Sequence, residues 1–217
     1  MKKIKAVIFD MDGVIVDTEQ AYQERRKDFM ASLGYPTDTI DWYQFIGETF
    51  SSLWHLVEPW VDISCQELQE KYVAYKKEHP LSYLDMENKE MVETILSLKE
   101  KGYLLGLASS STKKDIQRCL EELQLTHVFQ KIRSGEEFPK TKPHPAIYQQ
   151  IIEDLGVSSQ EAIAVEDSEV GITAAKKAGL TVIAYHQPQY GQDPSCADFI
   201  VRTPKEILSF IISEEKI

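Results

Sequence analysis

The segment Ala6-Val7-Ile8-Phe9, followed by Asp10-Met11-Asp12-Gly13, sets an uninterrupted apolar run against two carboxylates spaced two residues apart. Such a run suits a strand buried on both faces of a parallel sheet. In open α/β sheets, ligand sites gather at the carboxyl ends of such strands, so Asp10 and Asp12 are expected at that edge. A plain turn could use the same residues, since Gly13 tolerates positive φ and Asp bonds locally to backbone. A Ca²⁺ loop would need a third oxygen ligand where Val14 stands.

A carboxylate is ionised at neutral pH and can attack without a neighbouring base. Its target sets the difficulty: at roughly 3.5 Å and an effective dielectric near 20, a carboxylate facing a phosphate dianion is repelled by about 9 kcal/mol. The pattern therefore predicts Mg²⁺ and a lysine supplied from elsewhere in the chain.

Three later segments offer partners. The run from Tyr103 to Ala108 empties into Ser109-Ser110-Ser111-Thr112 before a helical stretch from Lys113 to Leu123. Ser111 or Thr112 suits the helix cap, leaving Ser109 at the strand end to hold a phosphoryl oxygen beside exposed helix N–H groups. Lys142 precedes Pro143, which favours an extended backbone and a stiffened approach of its charge. The helix expected over Ala146 to Leu155 follows, with apolar residues at Ile147, Tyr148, Ile151, Ile152 and Leu155. Finally, Ala162 to Val165 ends in Glu166-Asp167-Ser168 and leads into a helix closed by Gly179. Asp167 or Ser168 can cap that helix, but capping leaves Glu166 unexplained, whereas a hard cation would relieve an acidic pair at a sheet edge.

In this order and separation, Phe9-Asp10-Met11-Asp12-Gly13-Val14, Ala108-Ser109-Ser110, Lys142-Pro143 and Val165-Glu166-Asp167-Ser168 resemble the motifs of the haloacid dehalogenase-like hydrolases, in the branch of phosphatases and β-phosphoglucomutase. The resemblance implies a doubly wound, Rossmann-like parallel α/β sheet with an inserted helical cap. It implies Asp10 as nucleophile and metal ligand, and Asp12 as general acid and base with its backbone carbonyl on the metal. Glu166 and Asp167 would complete an Mg²⁺ site, Lys142 would bridge Asp10 and the phosphoryl group, and Ser109 and Ser110 would bind phosphate.

Between Asp17 and Asp85 no buried-strand run occurs, and the gap is too long for a loop. Helical spacing of Tyr22, Arg26, Phe29, Met30 and Leu33, and of Leu68, Tyr72 and Tyr75, predicts a helical cap over residues 18–84, with a core of residues 1–17 and 85–217. Trp42, Trp54 and Trp60 all fall in that insertion, as cap core with one or two facing the cleft. Alternating strands and helices fill the remainder, and no Gly-x-Gly-x-x-Gly follows any strand, so a dinucleotide fold is unsupported.

A net charge of −11 argues against nucleic acid or an anionic membrane as partner. Cys65, Cys119 and Cys196 lack paired metal spacing and suit reduced thiols of a cytoplasmic protein. The expected reaction is Mg²⁺-dependent hydrolysis of a small phosphorylated metabolite, such as a sugar phosphate, through an aspartyl phosphate. A phosphosugar mutase is the alternative. Such mutases resemble this chain around Gly47, but carry arginine where Phe50 stands and histidine where Tyr22 stands, so a cationic hold on a second phosphate is expected to be missing. A phosphoacceptor signalling module would also combine acids, a hydroxyl and a lysine, but without a large cap.

Overall fold

The computed structural model describes residues 3–38, 40–45 and 50–213, the side chains of Tyr43, Gln44 and Phe50 excepted. Its elements run β1 (Ala6–Phe9), α1 (Glu19–Ser32), α2 (Phe50–Val57), α3 (Cys65–Glu78), α4 (Lys89–Glu100), β2 (Leu104–Ser109), α5 (Lys113–Glu122), β3 (Lys131–Ser134), α6 (Ala146–Leu155), β4 (Ala162–Glu166), α7 (Glu169–Lys177), β5 (Thr181–Tyr185), β6 (Phe199–Val201) and α8 (Pro204–Ser213). The six strands form one parallel sheet in the order β3-β2-β1-β4-β5-β6. β1 is central, and all four of its residues are fully buried.

Alternation along β1 feeds two separate apolar layers. Val7 and Phe9 join Leu105 and Leu107 of β2 beneath Ile95 and Leu98 of α4, Leu120 of α5 and Ile207 of α8. Ala6 and Ile8 face Tyr148 and Ile151 of α6 and Ile172 and Ala175 of α7. The sheet is thus covered on both faces, which is why its strands read as continuous apolar runs.

A third apolar cluster contains no strand residue. Phe29 and Met30 of α1, Trp42, Leu53 and Trp54, and Leu68 and Tyr72 of α3 are buried together, with Trp60 packed against them. Phe29 meets Trp54 edge-on at 5.7 Å, and Trp54 lies 4.6 Å from Tyr72. The chain leaves and rejoins the sheet layers through one stapled crossing: Asp17 N–H donates to Met86 O at 2.8 Å, and Asn88 N–H to Ile15 O at 3.0 Å. Two helices are expected in this insertion from periodicity. α2 is the addition: only two turns long, it nonetheless buries Leu53, Trp54 and Val57 at helical spacing and leaves Ser51 and His55 exposed. α4 begins before the expected Met91 because the Asn88 side chain caps it, accepting from Met91 N–H at 3.2 Å.

Leu68→Ala empties a fully buried site in the tryptophan cluster and should cost about 2–5 kcal/mol. Because the tryptophans sit there and not in the sheet, the loss should appear in a tryptophan-emission denaturation curve at lower denaturant than in a probe of the sheet layers, such as Tyr103 exchange protection. Coincident midpoints would mean that the insertion has no stability of its own.

Candidate active site

Asp10 and Glu166 leave the carboxyl ends of β1 and β4, which are neighbours with Phe9 opposite Val165. This is where strand order reverses direction, the crevice in which α/β sheets bind ligands. Asp10 N–H continues the ladder to Val165 O at 3.0 Å. The chain then folds back sharply through Gly13 at φ +75°, with Ile15 N–H donating to Met11 O at 2.8 Å. That turn brings Asp12 back to the same edge.

Lys142 reaches this edge from the loop before α6. Its Nζ donates to Asp10 Oδ1 at 2.7 Å, Glu166 Oε1 at 2.6 Å and Ala108 O at 2.9 Å, which uses all three ammonium protons. The Tyr148 hydroxyl donates to the same Glu166 oxygen, and the ammonium lies 5.2 Å from the Tyr148 ring centroid. Lys142 stands in a turn closed by His144 N–H to Thr141 O at 2.8 Å, with a cis bond to Pro143.

Burial pushes the Asp10 carboxyl up to about 8, against the pull of the Lys142 charge and with Glu166 and Asp12 adding repulsion. Burial, then the charges of Asp10 and Glu166, hold Asp167 well above the usual carboxylate range. Burial disfavours the Lys142 ammonium, but Asp10 and Glu166 outweigh it and raise its pKa. Carboxylate oxygens of Asp10, Glu166 and Asp167 lie within 4.8 Å of one another, and one lysine cannot offset three such charges. An oxygen-only donor set of this kind suits a hard divalent cation. Two glycines keep the space clear: a Cβ on Gly13 would fall 1.8 Å from Asp167 Oδ2, and one on Gly171 2.1 Å from Glu166 Oε2.

Asp12 stands in different surroundings. Its carboxylate accepts from Thr18 Oγ1 at 2.9 Å, Ser111 Oγ at 2.6 Å and Ser109 Oγ at 3.4 Å. Ser109 is buried at the end of β2, its hydroxyl donating to Asp12 and accepting from the N–H of Ser111. Ser110, Ser111 and Thr112 are the residues of this loop that reach the cavity. Thr112 caps α5, accepting from Asp115 N–H at 3.1 Å, and Ser168 caps α7, accepting from Gly171 N–H at 3.2 Å. Ser111, one of two expected caps, is turned to Asp12 instead.

A cavity of about 120 Å³ separates this edge from the helical insertion, lined below by Asp10, Asp12, Lys142 and Asp167 and above by Glu19, Tyr22, Arg25, Arg26, Trp54 and Tyr72. Tyr22 lies in the wall. Gly47 and the Phe50 side chain fall outside the described residues. The wall also carries basic groups, Arg25 and Arg26 of α1 and Lys76 of α3, whose Nζ meets Asp115 at 3.2 Å across the cleft. The signal lay in the sequence: Arg25 and Arg26 follow Tyr22 at helical spacings of three and four. Thr18, Tyr148 and Glu19 were likewise missed.

Known proteins share this architecture and sequence. Residues 7–185 match the family model of the haloacid dehalogenase-like hydrolases. Hexitol phosphatase B of Escherichia coli is 32% identical over 201 residues, covering 89% of this chain and 88% of its own. A phosphorylated carbohydrates phosphatase of Thermotoga maritima is 33% identical over 178 residues, covering 82% of each. The crystal structure of beta-phosphoglucomutase from Clostridium difficile superposes with a TM-score of 0.78 over 98% of this chain and 97% of that one, at 22% identity, a likeness of fold. Among the described residues no helix is long and apolar enough to cross a membrane. With its acid pair, buried lysine and acidic strand end assembled on one sheet edge, the chain belongs to the haloacid dehalogenase-like hydrolases.

Proposed function

We propose that this phosphoric monoester hydrolase releases phosphate from a small phosphorylated metabolite, a sugar phosphate or similar ester, through an aspartyl phosphate on Asp10. The observation that carries the reading is Asp10 held 2.7 Å from Lys142 inside an oxygen-only acid cluster, on a chain about one-third identical to two phosphatases of phosphorylated carbohydrates. Residues 18–84 serve as the cap over residues 1–17 and 85–217.

In this scheme an Asp10 carboxylate oxygen attacks phosphorus while the ester P–O bond breaks. Protonated Asp12 gives its proton to the leaving oxygen, then takes one from the water that attacks the aspartyl phosphate, so that phosphate departs and Asp10 is restored. Lys142 orients Asp10 and offsets its charge. Ser110 and the N–H groups opening α5 receive phosphoryl oxygens. Asp10, Glu166, Asp167 and the Asp12 backbone carbonyl would hold Mg²⁺, which supplies charge neutralisation between carboxylate and phosphate. The hydroxyls of Thr18 and Ser111 fix the Asp12 carboxyl, so nucleophile and acid, two residues apart, work in separate environments.

Asp10→Asn should abolish phosphoenzyme formation with the fold intact, as judged by circular dichroism. Asp12→Asn should lower turnover of alkyl phosphates by about 10²–10⁴, but cost much less in the first step with nitrophenyl phosphate, whose leaving group needs little protonation. Equal losses on both esters would remove the general acid role from Asp12.

Mg²⁺ should support turnover, and chelation after metal stripping should end it. At a hundredfold excess over its Kd, Mg²⁺ should also stabilise the protein by about 2.7 kcal/mol, read as a rise in melting temperature. Gly13→Ala should lose that rise, because its Cβ occupies the space of the Asp167 carboxylate. Full activity in chelator would refute the metal.

A mutase would return the phosphoryl group to a sugar hydroxyl. With β-glucose 1-phosphate and a trace of the bisphosphate, free phosphate should exceed glucose 6-phosphate. Isomerisation faster than hydrolysis by about tenfold, a 1.4 kcal/mol difference in barriers, would reverse the assignment.

A further inference from the structure

Arg25 and Arg26 are adjacent on α1, and both line the cavity. Arg25 is only 9% exposed. Its Nε donates to the Tyr72 hydroxyl at 3.2 Å, and its guanidinium lies 5.2 Å from the ring centroid of Tyr22 and 5.8 Å from that of Tyr72. Arg26 lies 5.7 Å from the Tyr22 centroid, and its Nη1 is buried with no hydrogen-bond partner. Among the described residues neither arginine forms an ion pair with a carboxylate. Lys76, by contrast, is already matched by Asp115.

An arginine cannot shed its charge by deprotonation, and a buried charge is ordinarily paired. Here the two guanidiniums face a cavity wall whose acid, among the described residues, is Glu19, which feels the Arg26 charge while its Oε2 has no hydrogen-bond partner. Among the described residues of the roof, two fixed cations thus stand against one carboxyl. The planar guanidinium fork matches a carboxylate or a phosphate. The unpartnered Glu19 oxygen is an acceptor for a hydroxyl.

We propose that Arg25 and Arg26 form an anion subsite opposite the phosphoryl site, so that the preferred substrate is a hydroxylated phosphate monoester bearing a second anionic group, carboxylate or phosphate, on its leaving group. This rests on the phosphatase reading, which it narrows. It also departs from a neutral polyol phosphate as the best substrate.

The test uses esters matched except at the far end: glycerol 3-phosphate against glycerate 3-phosphate, and a hexitol 6-phosphate against the corresponding hexonate 6-phosphate and hexitol 1,6-bisphosphate. At one chain length or both, kcat/KM for an anionic member should exceed that of its neutral counterpart by about tenfold, mainly through KM. The better of hexonate and bisphosphate identifies the anion. Arg26→Gln should bring the ratio to within about twofold of unity, and Arg25→Lys, which keeps the charge but loses the fork, should reduce it as well. Melting temperatures check that both variants are folded. Calorimetry with the Asp10→Asn protein in Mg²⁺ reads the same ratio as binding, without turnover. Equal affinities for neutral and anionic members at both lengths, or an unchanged ratio in folded Arg26→Gln, would overturn the subsite while phosphate release stands. An anionic preference in Asp10→Asn, in a protein that releases no phosphate, would keep the subsite and remove the phosphatase reading.

Discussion

The site depends on one buried ammonium. Lys142 Nζ contacts Asp10, Ala108 and Glu166, which are 132, 34 and 24 residues away in sequence and lie at the ends of β1, β2 and β4. At 2.7 Å and an effective dielectric near 20, each ion pair supplies about 6 kcal/mol of gross attraction. Desolvating the charges costs several kcal/mol per ion. The net stabilisation is therefore small, and the consequence is geometric: the lysine holds two carboxylates of neighbouring strands at a separation that their own repulsion opposes.

The charge is only partly balanced, and the imbalance sits on one side. Lys142 contacts Asp10 and Glu166 through the Oδ1 and Oε1 atoms, while Asp167 has burial and like charges as its main influences. Gly13 and Gly171 border that unbalanced side, where a side chain of any kind would strike an acid oxygen. Asp12, two residues from Asp10, is instead surrounded by hydroxyls. The two carboxylates differ in surroundings because Asp10 continues the β1 ladder beside Lys142, whereas Asp12 lies in the turn through Gly13, among hydroxyls.

The sheet was legible because strands covered on both faces must be apolar throughout, and β1, β2, β4 and β5 are written that way. The acids at their ends were legible for the same reason, since a carboxylate directly after such a run cannot lie far from the edge. That Thr112 caps α5 while Ser111 turns to Asp12 was not, because neighbouring hydroxyls differ only in direction along a tightening loop, and direction follows register. Tyr148 was hidden by its ring: it counts as apolar in the helical period of α6 although its hydroxyl ends on Glu166. Thr18, Arg25 and Arg26 come from the insertion, and spacing within a helix does not say which core residue faces it across a cleft.

The arrangement of α1 has a further physical consequence. Thr18, immediately before the helix, holds Asp12, and Glu19, Tyr22, Arg25 and Arg26 follow on the helix and line the cavity. In the proposed scheme, the side that receives the leaving group is therefore continuous, through one stretch of backbone, with the side that positions the acid. That stretch is fixed at its base by Asp17 N–H to Met86 O, and by the Tyr190 hydroxyl donating to Asp17 Oδ1 at 2.5 Å. In the proposed scheme, recognition of the leaving group and orientation of its proton donor thus share one stretch of covalent chain, while Asp10 and Lys142 are anchored to the sheet.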